Sequence, residues 1–152
     1  MNVRTTRFGD VEIAEDRVIT FPKALPGFPE RLRFCLLEPT EDACFFWLQS
    51  VDDPTLAFVV TDPGWFFKDY AIPLRAEQMQ ELGLARLDDA QVFIIVNKVD
   101  GELTGNLQGP IVINTVTRRA EQLVLADRKW STRHTLPSMQ KPEPVHALAA
   151  SA

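Results

Sequence analysis

Asn106-Leu107-Gln108-Gly109-Pro110-Ile111-Val112-Ile113-Asn114 couples a polar, turn-forming lead to a wholly apolar strand, and its reading decides the fold. Just upstream, Asp100-Gly101 suits a two-residue hairpin turn, whose central residues both need positive φ. Val92 to Val96 supplies the strand before it, so the region reads as strand, turn, strand. Pro110 removes a ladder donor at the start of the second strand. Asn106 to Gly109 is therefore expected on an edge or loop, with backbone groups free for a partner. Asn114 suits either a structural or a partner-facing role.

Outward from this stretch, short β-type segments dominate. They are Val3 to Phe8, Asp16 to Phe21, Leu32 to Leu37, Cys44 to Gln49, Leu56 to Thr61, Val92 to Val99, Ile111 to Val116 and, as the final one, Ala120 to Leu125. Gly9-Asp10, Leu25-Pro26-Gly27-Phe28-Pro29, Asp52-Asp53-Pro54 and Asp62-Pro63-Gly64 punctuate them. After an extended Ala71 to Leu74, Ala76 to Leu82 is the helix candidate, with Ala76, Met79 and Leu82 on one side and Gly83 as its stop. Regularly spaced strands, one small helix and no βαβ rhythm predict a mainly β chain, either an antiparallel barrel or a pair of packed sheets. At 152 residues one domain is expected, spanning 1–136, with the proline-bearing and alanine-rich 137–152 as a flexible tail.

Composition limits the function classes. The longest apolar runs fall far short of the ~18 residues of a membrane span, and the first residues lack a secretory core, so a cytoplasmic location is expected. Cys35 and Cys44 read as reduced packing residues, and His134 and His146 lie far from them, without zinc-site spacing. Residues 1–116 carry 10 Lys and Arg against 18 Asp and Glu, whereas 117–152 carry 6 against 3. An acidic body argues against nonspecific nucleic-acid binding and fits a basic protein partner.

No nucleotide-binding glycine motif is present, and neither cysteine sits in the electropositive setting that a nucleophile needs. Asp52-Asp53 and Asp88-Asp89 read as turn formers rather than as an acid and base pair. The chain is thus expected to be no enzyme and to need no cofactor. An alternative is a small-ligand or RNA-binding barrel using Arg118, Arg119, Arg128, Lys129, Trp130, Arg133 and His134, a basic run beside an aromatic. Trp65-Phe66-Phe67-Lys68-Asp69-Tyr70 is the other notable cluster. Four aromatics in six residues cannot all enter one core from a single strand, so some are expected to be exposed beside acids, as in an interaction hot spot.

Several pieces then align in order and spacing. They include Phe8-Gly9, Ile19-Thr20-Phe21-Pro22, Leu25-Pro26-Gly27-Phe28, Leu48-Gln49-Ser50 with Asp53-Pro54, Ala57-Phe58, Asp62-Pro63 with Asp69-Tyr70, Asn106 to Asn114, Gln122-Leu123-Val124-Leu125, and Arg133-His134. Together the chain resembles the FliW family of flagellar assembly factors, departing mildly where Gly109 replaces a common alanine and Trp130 a usual tyrosine. The resemblance implies an antiparallel β-barrel, a monomer when free, that binds flagellin and antagonises the translational regulator CsrA. For flagellin's amphipathic helices, the expected apolar lining is Phe28, Phe58, Phe66, Tyr70, Leu107 and Pro110. For CsrA, the expected contacts are Asp52, Asp53 and Asp69, and Asn106 to Pro110 is expected to face a partner.

Overall fold

The computed structural model describes residues 1–39, 44–137 and 147–149, the last three by their backbone. In chain order the strands are β1 (Asn2–Thr5), β2 (Gly9–Glu12), β3 (Ile19–Thr20), β4 (Arg33–Leu37), β5 (Phe45–Ser50), β6 (Ala57–Thr61) and β7 (Ile72–Leu74). There follow helix α1 (Ala76–Leu82) and strands β8 (Ala90–Val99), β9 (Glu102–Gly105), β10 (Ile111–Asn114), β11 (Ala120–Gln122), β12 (His134–Thr135) and β13 (Ala147–Ala149). The main sheet runs β11-β10-β8-β6-β5-β4-β3, with its neighbouring strands antiparallel. Its ends meet at a single parallel rung, Thr20 with Arg119, where Thr20 N donates to Arg118 O at 2.9 Å. Lys23 reinforces the seam, reaching Glu81 of α1 at 3.1 Å and Glu121 of β11 at 3.5 Å. The sheet thus curls into a half-barrel, the expected barrel-like antiparallel fold.

Strand β8 explains why the Val92 to Val96 run is apolar at every position. Phe93 and Ile95 face one core and Val92, Ile94 and Val96 face another, so the strand is covered on both sides. Strand β10 repeats the division, with Ile111 and Ile113 on one side and Val112 on the other. The first core draws on all seven strands of the main path, through Ile19, Phe34, Leu48, Val60, Phe93, Ile111 and Ala120, and is the barrel interior. The second lies outside, between β8 and β10 and a cover made from β7, α1 and Leu123 to Trp130.

Turn chemistry sets the register. Asp100 at φ 51° and Gly101 at φ 82° form the predicted hairpin turn between β8 and β9. Gly83, at φ 68°, ends α1 with the predicted cap, its N–H reaching Gln80 O while Leu84 N reaches Met79 O. On α1, Leu82 is buried and Met79 half-buried, but Ala76 is exposed, because at 3.6 residues per turn it lies roughly 120° round the helix from Leu82. Other strands are shorter than predicted. Asp16 to Phe21 splits into a short 3-10 turn, Glu15–Arg17, and β3. Val116 falls beyond β10 in an exposed loop, and Ala120 to Leu125 keeps its alternation of buried Leu123 and Leu125 around exposed Val124 after β11 has ended.

Strand β9 was not separated from β10 by sequence, and the join between them is the distinctive feature of the quoted stretch. Val96 faces Gly105 and Phe93 faces Ile111, so three steps along β8 are matched by six on the other side. Asn106 to Pro110 takes up the difference as a bulge on the β8 edge. Strand β12, which pairs with β9, is too short and polar to show a pattern; it makes Ala120 to Leu125 not the last strand. The predicted 137–152 tail lies largely outside the described residues; within it, Ala147–Ala149 pairs in parallel with β7.

Candidate protein interface

The predicted partner-facing residues fall into two regions. Phe28, Phe58, Asp52 and Asp53 come together at the margin of the barrel interior, where the core is only half covered. Cross-strand register puts Leu36, Leu48 and Phe58 in one row and Phe46, Val60 and Ile95 in the next. Leu48 and Val60 are buried, while Leu36, Phe46, Phe58 and Ile95 are half-buried together with Phe28 and Leu56. Phe28 meets Phe58 edge-on at 5.4 Å, and Phe58 in turn meets buried Phe34 at 6.3 Å. This is an apolar strip with a rigid floor. Sequence reasoning missed Leu36, Phe46, Leu56 and Ile95, since alternation gives the face a side chain occupies but not whether anything covers it.

A charged collar borders the strip. Arg33 grips Asp52 through two nitrogens, Nη2 at 2.5 Å and Nε at 3.2 Å, and Arg31 Nε reaches Asp53 at 3.3 Å. Arg31, Asp52 and Asp53, with Glu30 and Pro54, line an open depression of about 370 Å³. The turn that carries the acids is pinned from below. Gln49 Nε2, with two hydrogens to donate, sits among the carbonyls of Ser50, Asp53, Pro54 and Leu56, nearest those of Ser50 and Leu56 at 3.1 Å, and Ser50 Oγ accepts from the Asp52 and Asp53 amides. The Thr55 hydroxyl and amide, with a smaller contribution from Arg31, hold the Asp53 carboxyl below its usual range. Asp52 and Asp53 thus form the turn, as expected, and also already hold arginine partners.

The second region corrects several expectations of exposure. Phe66, Tyr70, Leu107 and Pro110 are buried, as 5%, 3% and 0% exposure of the first three shows. The cluster Trp65 to Tyr70 is not one strand: the 3-10 turn Pro63–Trp65 and the bends after it break it up, so that Phe66 and Tyr70 are buried while Trp65 and Phe67 stay half-buried. Phe66 packs on Phe45 and Tyr70 on Trp130, with centroids 6.1 and 4.9 Å apart.

Nor is the backbone of the Asn106 to Pro110 bulge open to a partner. Asn106 N donates to Ile95 O, Leu107 N and Gln108 N to Ser131 O, and Gly109 N to Asn106 Oδ1. Tyr70 Oη, Leu125 N, Gln122 Nε2 and Leu123 N donate to the carbonyls of Leu107, Gln108, Gly109 and Pro110. Pro110 leaves no donor unmade because it has no N–H, and the rest of its segment is tied by the side chains of Tyr70, Asn106 and Gln122 and by the backbone of Leu123, Leu125 and Ser131. Glycine at 109 fits this arrangement, since a Cβ there would lie 2.8 Å from Asn106 Nδ2 and 3.0 Å from Gln122 Nε2. Asn114, also undecided by sequence, is structural: its Oδ1 accepts from Val116 and Thr117 amides and its Nδ2 donates to Leu82 O at 2.9 Å.

Asp69 remains exposed and pairs with Lys129, which lies over the Trp130 ring at 4.9 Å. Trp130 itself is buried against Tyr70 and Phe67, so the basic end presents no tryptophan face on which a base could stack. The structure offers nothing to the RNA-binding alternative at that residue. Among the described residues, no three His, Cys, Asp or Glu side chains converge as metal ligands, and no helix is long and apolar enough to cross a membrane.

Burial pushes the Tyr70 phenol well above its ordinary range. The folded value exceeds the unfolded one, so its contribution to stability is complete below about pH 10 and lost as pH rises further. Tyr70 is the chain's one tyrosine. Spectrophotometric titration should therefore show no phenolate near pH 10, and then a rise that coincides with loss of the circular dichroism of the fold. Phenolate absorbance appearing near pH 10 in the folded protein would contradict the buried hydrogen bond to Leu107.

A mainly antiparallel sheet curled into a half-barrel, its ends touching at one rung, with a second core outside it and an open apolar margin, defines the class of protein. The family model described as FliW protein matches residues 2–136, and the chain belongs to the FliW family. It is 40% identical over 139 residues to the flagellar assembly factor FliW of Moorella thermoacetica, covering 90% of this chain and 88% of the relative. Against the flagellar assembly factor FliW of Geobacter sulfurreducens, identity is 41% over 136 residues, with 88% and 85% covered. A crystal structure of the flagellar assembly factor FliW superposes with a TM-score of 0.83 at 35% identity, covering 91% of this chain and 98% of the other.

Proposed function

We propose that this chain is a cytoplasmic, non-enzymatic flagellar assembly factor that holds flagellin and, when flagellin is scarce, binds CsrA and relieves its repression of translation. Family membership supports the first part of this reading, and the half-covered apolar strip carries the rest. Flagellin's terminal helices have an apolar stripe that needs masking before assembly, and a strip of Phe28, Phe46, Phe58, Leu36 and Ile95 beside paired charges has the chemistry to receive one. Phe66, Tyr70, Leu107 and Pro110 take a framework role beneath the surface. Asp52, Asp53 and Asp69 are the contacts for basic CsrA residues. Their intramolecular partners are surface pairs of small worth, so exchanging Arg31, Arg33 or Lys129 for a partner's cation costs little.

The test is a titration of the full chain with flagellin and with CsrA, repeated for Phe28→Ala, Phe58→Ala and the pair Asp52→Lys with Asp53→Lys. Each phenylalanine truncation should weaken flagellin binding by about 30-fold, the effect of losing a hot-spot anchor of ~2 kcal/mol. The charge reversal should slow CsrA association and flatten its salt dependence. Folded variants that bind flagellin at full strength would remove the strip from the reading. CsrA affinity unchanged across a salt series would remove the acids.

A further inference from the structure

Strand β7 has buried Ile72 and Leu74 flanking exposed Pro73, and among the described residues its one strand partner is β13. Strand β13 comes from the extension after the family match, which ends at residue 136. The pairing is parallel, with Ala147 opposite Ile72, Leu148 opposite Pro73 and Ala149 opposite Leu74, and β13 also lies against the turn Leu87–Asp89. A bare strand edge is a template for pairing with another chain, and proteins cover such edges. We propose that β7 is a strand-accepting edge and that residues 147–149 are its built-in occupant, so that an extended segment of another protein engages β7 only by displacing this chain's own extension.

The register and the chemistry of proline leave one arrangement for the central rung. In a parallel ladder a residue either uses its own N–H and C=O toward the neighbour or is flanked by residues that do. Pro73 has no N–H. The groups engaged are therefore those of Leu148: its N–H donates to the Ile72 carbonyl, and its C=O accepts from the Leu74 N–H. The N–H groups of Ala147 and Ala149 point away from β7, because successive residues of a strand alternate. An edge with proline at its centre thus accepts a strand in a single phase, which gives the site a built-in selectivity for register.

This predicts different outcomes for two prolines one residue apart. Leu148→Pro removes the donor to Ile72, whereas Ala149→Pro removes an N–H that faces away and keeps Leu148 extended. Hydrogen exchange of the Leu74 amide, followed by NMR on the full chain, should show protection in the native protein and in A149P. In L148P exchange should accelerate by about tenfold or more, as release of a local contact brings it toward the open-state rate. A peptide of residues 144–152 added at millimolar concentration, the effective concentration that a short linker supplies, should restore protection to L148P. It should leave the native chain unchanged, since the edge there is already filled. Equal Leu74 exchange in native and L148P protein, acceleration in A149P as large as in L148P, or a peptide without effect on L148P would overturn the proposal.

Discussion

Replacing Phe34 with alanine should lower the melting temperature by roughly 6–20 °C. Phe34 is fully buried on β4, edge-on to Phe21 at 5.3 Å and tilted against Phe58 at 6.3 Å. Truncating a buried phenylalanine costs ~3–5 kcal/mol through lost transfer energy and the cavity left behind. For a domain of this size each kcal/mol moves the midpoint by about 2–4 °C. A second consequence follows from what Phe34 supports. It is the floor under Phe58, so the apolar strip should soften along with the barrel, and on the proposed reading any flagellin affinity should fall further than the unfolded fraction explains. Thermal melts, with binding measured well below the midpoint, separate the two effects. A melting point within a few degrees of the native value would mean the inner core is less continuous than its packing shows.

Asn114→Ala is expected to destabilise by roughly 2–4 kcal/mol, the other large effect. Its side chain, 1% exposed, makes three hydrogen bonds that fasten the end of β10 to the loop that follows and to the last turn of α1. Each buried partner left unsatisfied costs about 1–3 kcal/mol. Thr117 Oγ1 also donates to Leu82 O, at 3.1 Å, which keeps the loss at that carbonyl below the full amount. The amides of Val116 and Thr117 have no such second acceptor among their hydrogen bonds. Chemical denaturation should show the drop in midpoint with an unchanged slope, since the surface exposed on unfolding stays the same. A change below 0.5 kcal/mol, the ordinary range for surface positions, would show that water replaces the side chain at little cost.

The barrel was legible because its strands announce themselves locally. Leu56 to Thr61, Leu32 to Leu37 and Val92 to Val99 carry β-branched and aromatic residues between strong turn signals, and Asp100-Gly101 and Gly83 specify particular backbone shapes. The bulge at Asn106 to Pro110 was not. Whether a polar loop is open or tied depends on Tyr70, Gln122 and Ser131, which reach it from other parts of the chain. The same limit explains the mixed outcome for the partner residues. Phe28 and Phe58 stay half-covered and Tyr70 and Leu107 are buried, yet in sequence all four are apolar residues near turns. Exposure is a tertiary property, set by which elements arrive on top. The acids were legible as turn formers through Asp-Asp-Pro, whereas their arginine partners, about twenty residues away on β4 and just before it, follow from strand pairing.

A barrel closed by one rung differs from one closed along a whole strand. If the Thr20 and Arg119 contact breathes, the main sheet passes from one whose ends meet to an open one with two further edges, β3 on one side and β11 on the other. Such a moment is when a second chain could zip on. Lys23, Arg118 and Arg119 stand at that joint, and an approaching strand would have to desolvate or displace them. Charge at such a joint would disfavour edge-to-edge pairing during opening, a service to solubility that the closed contact does not display.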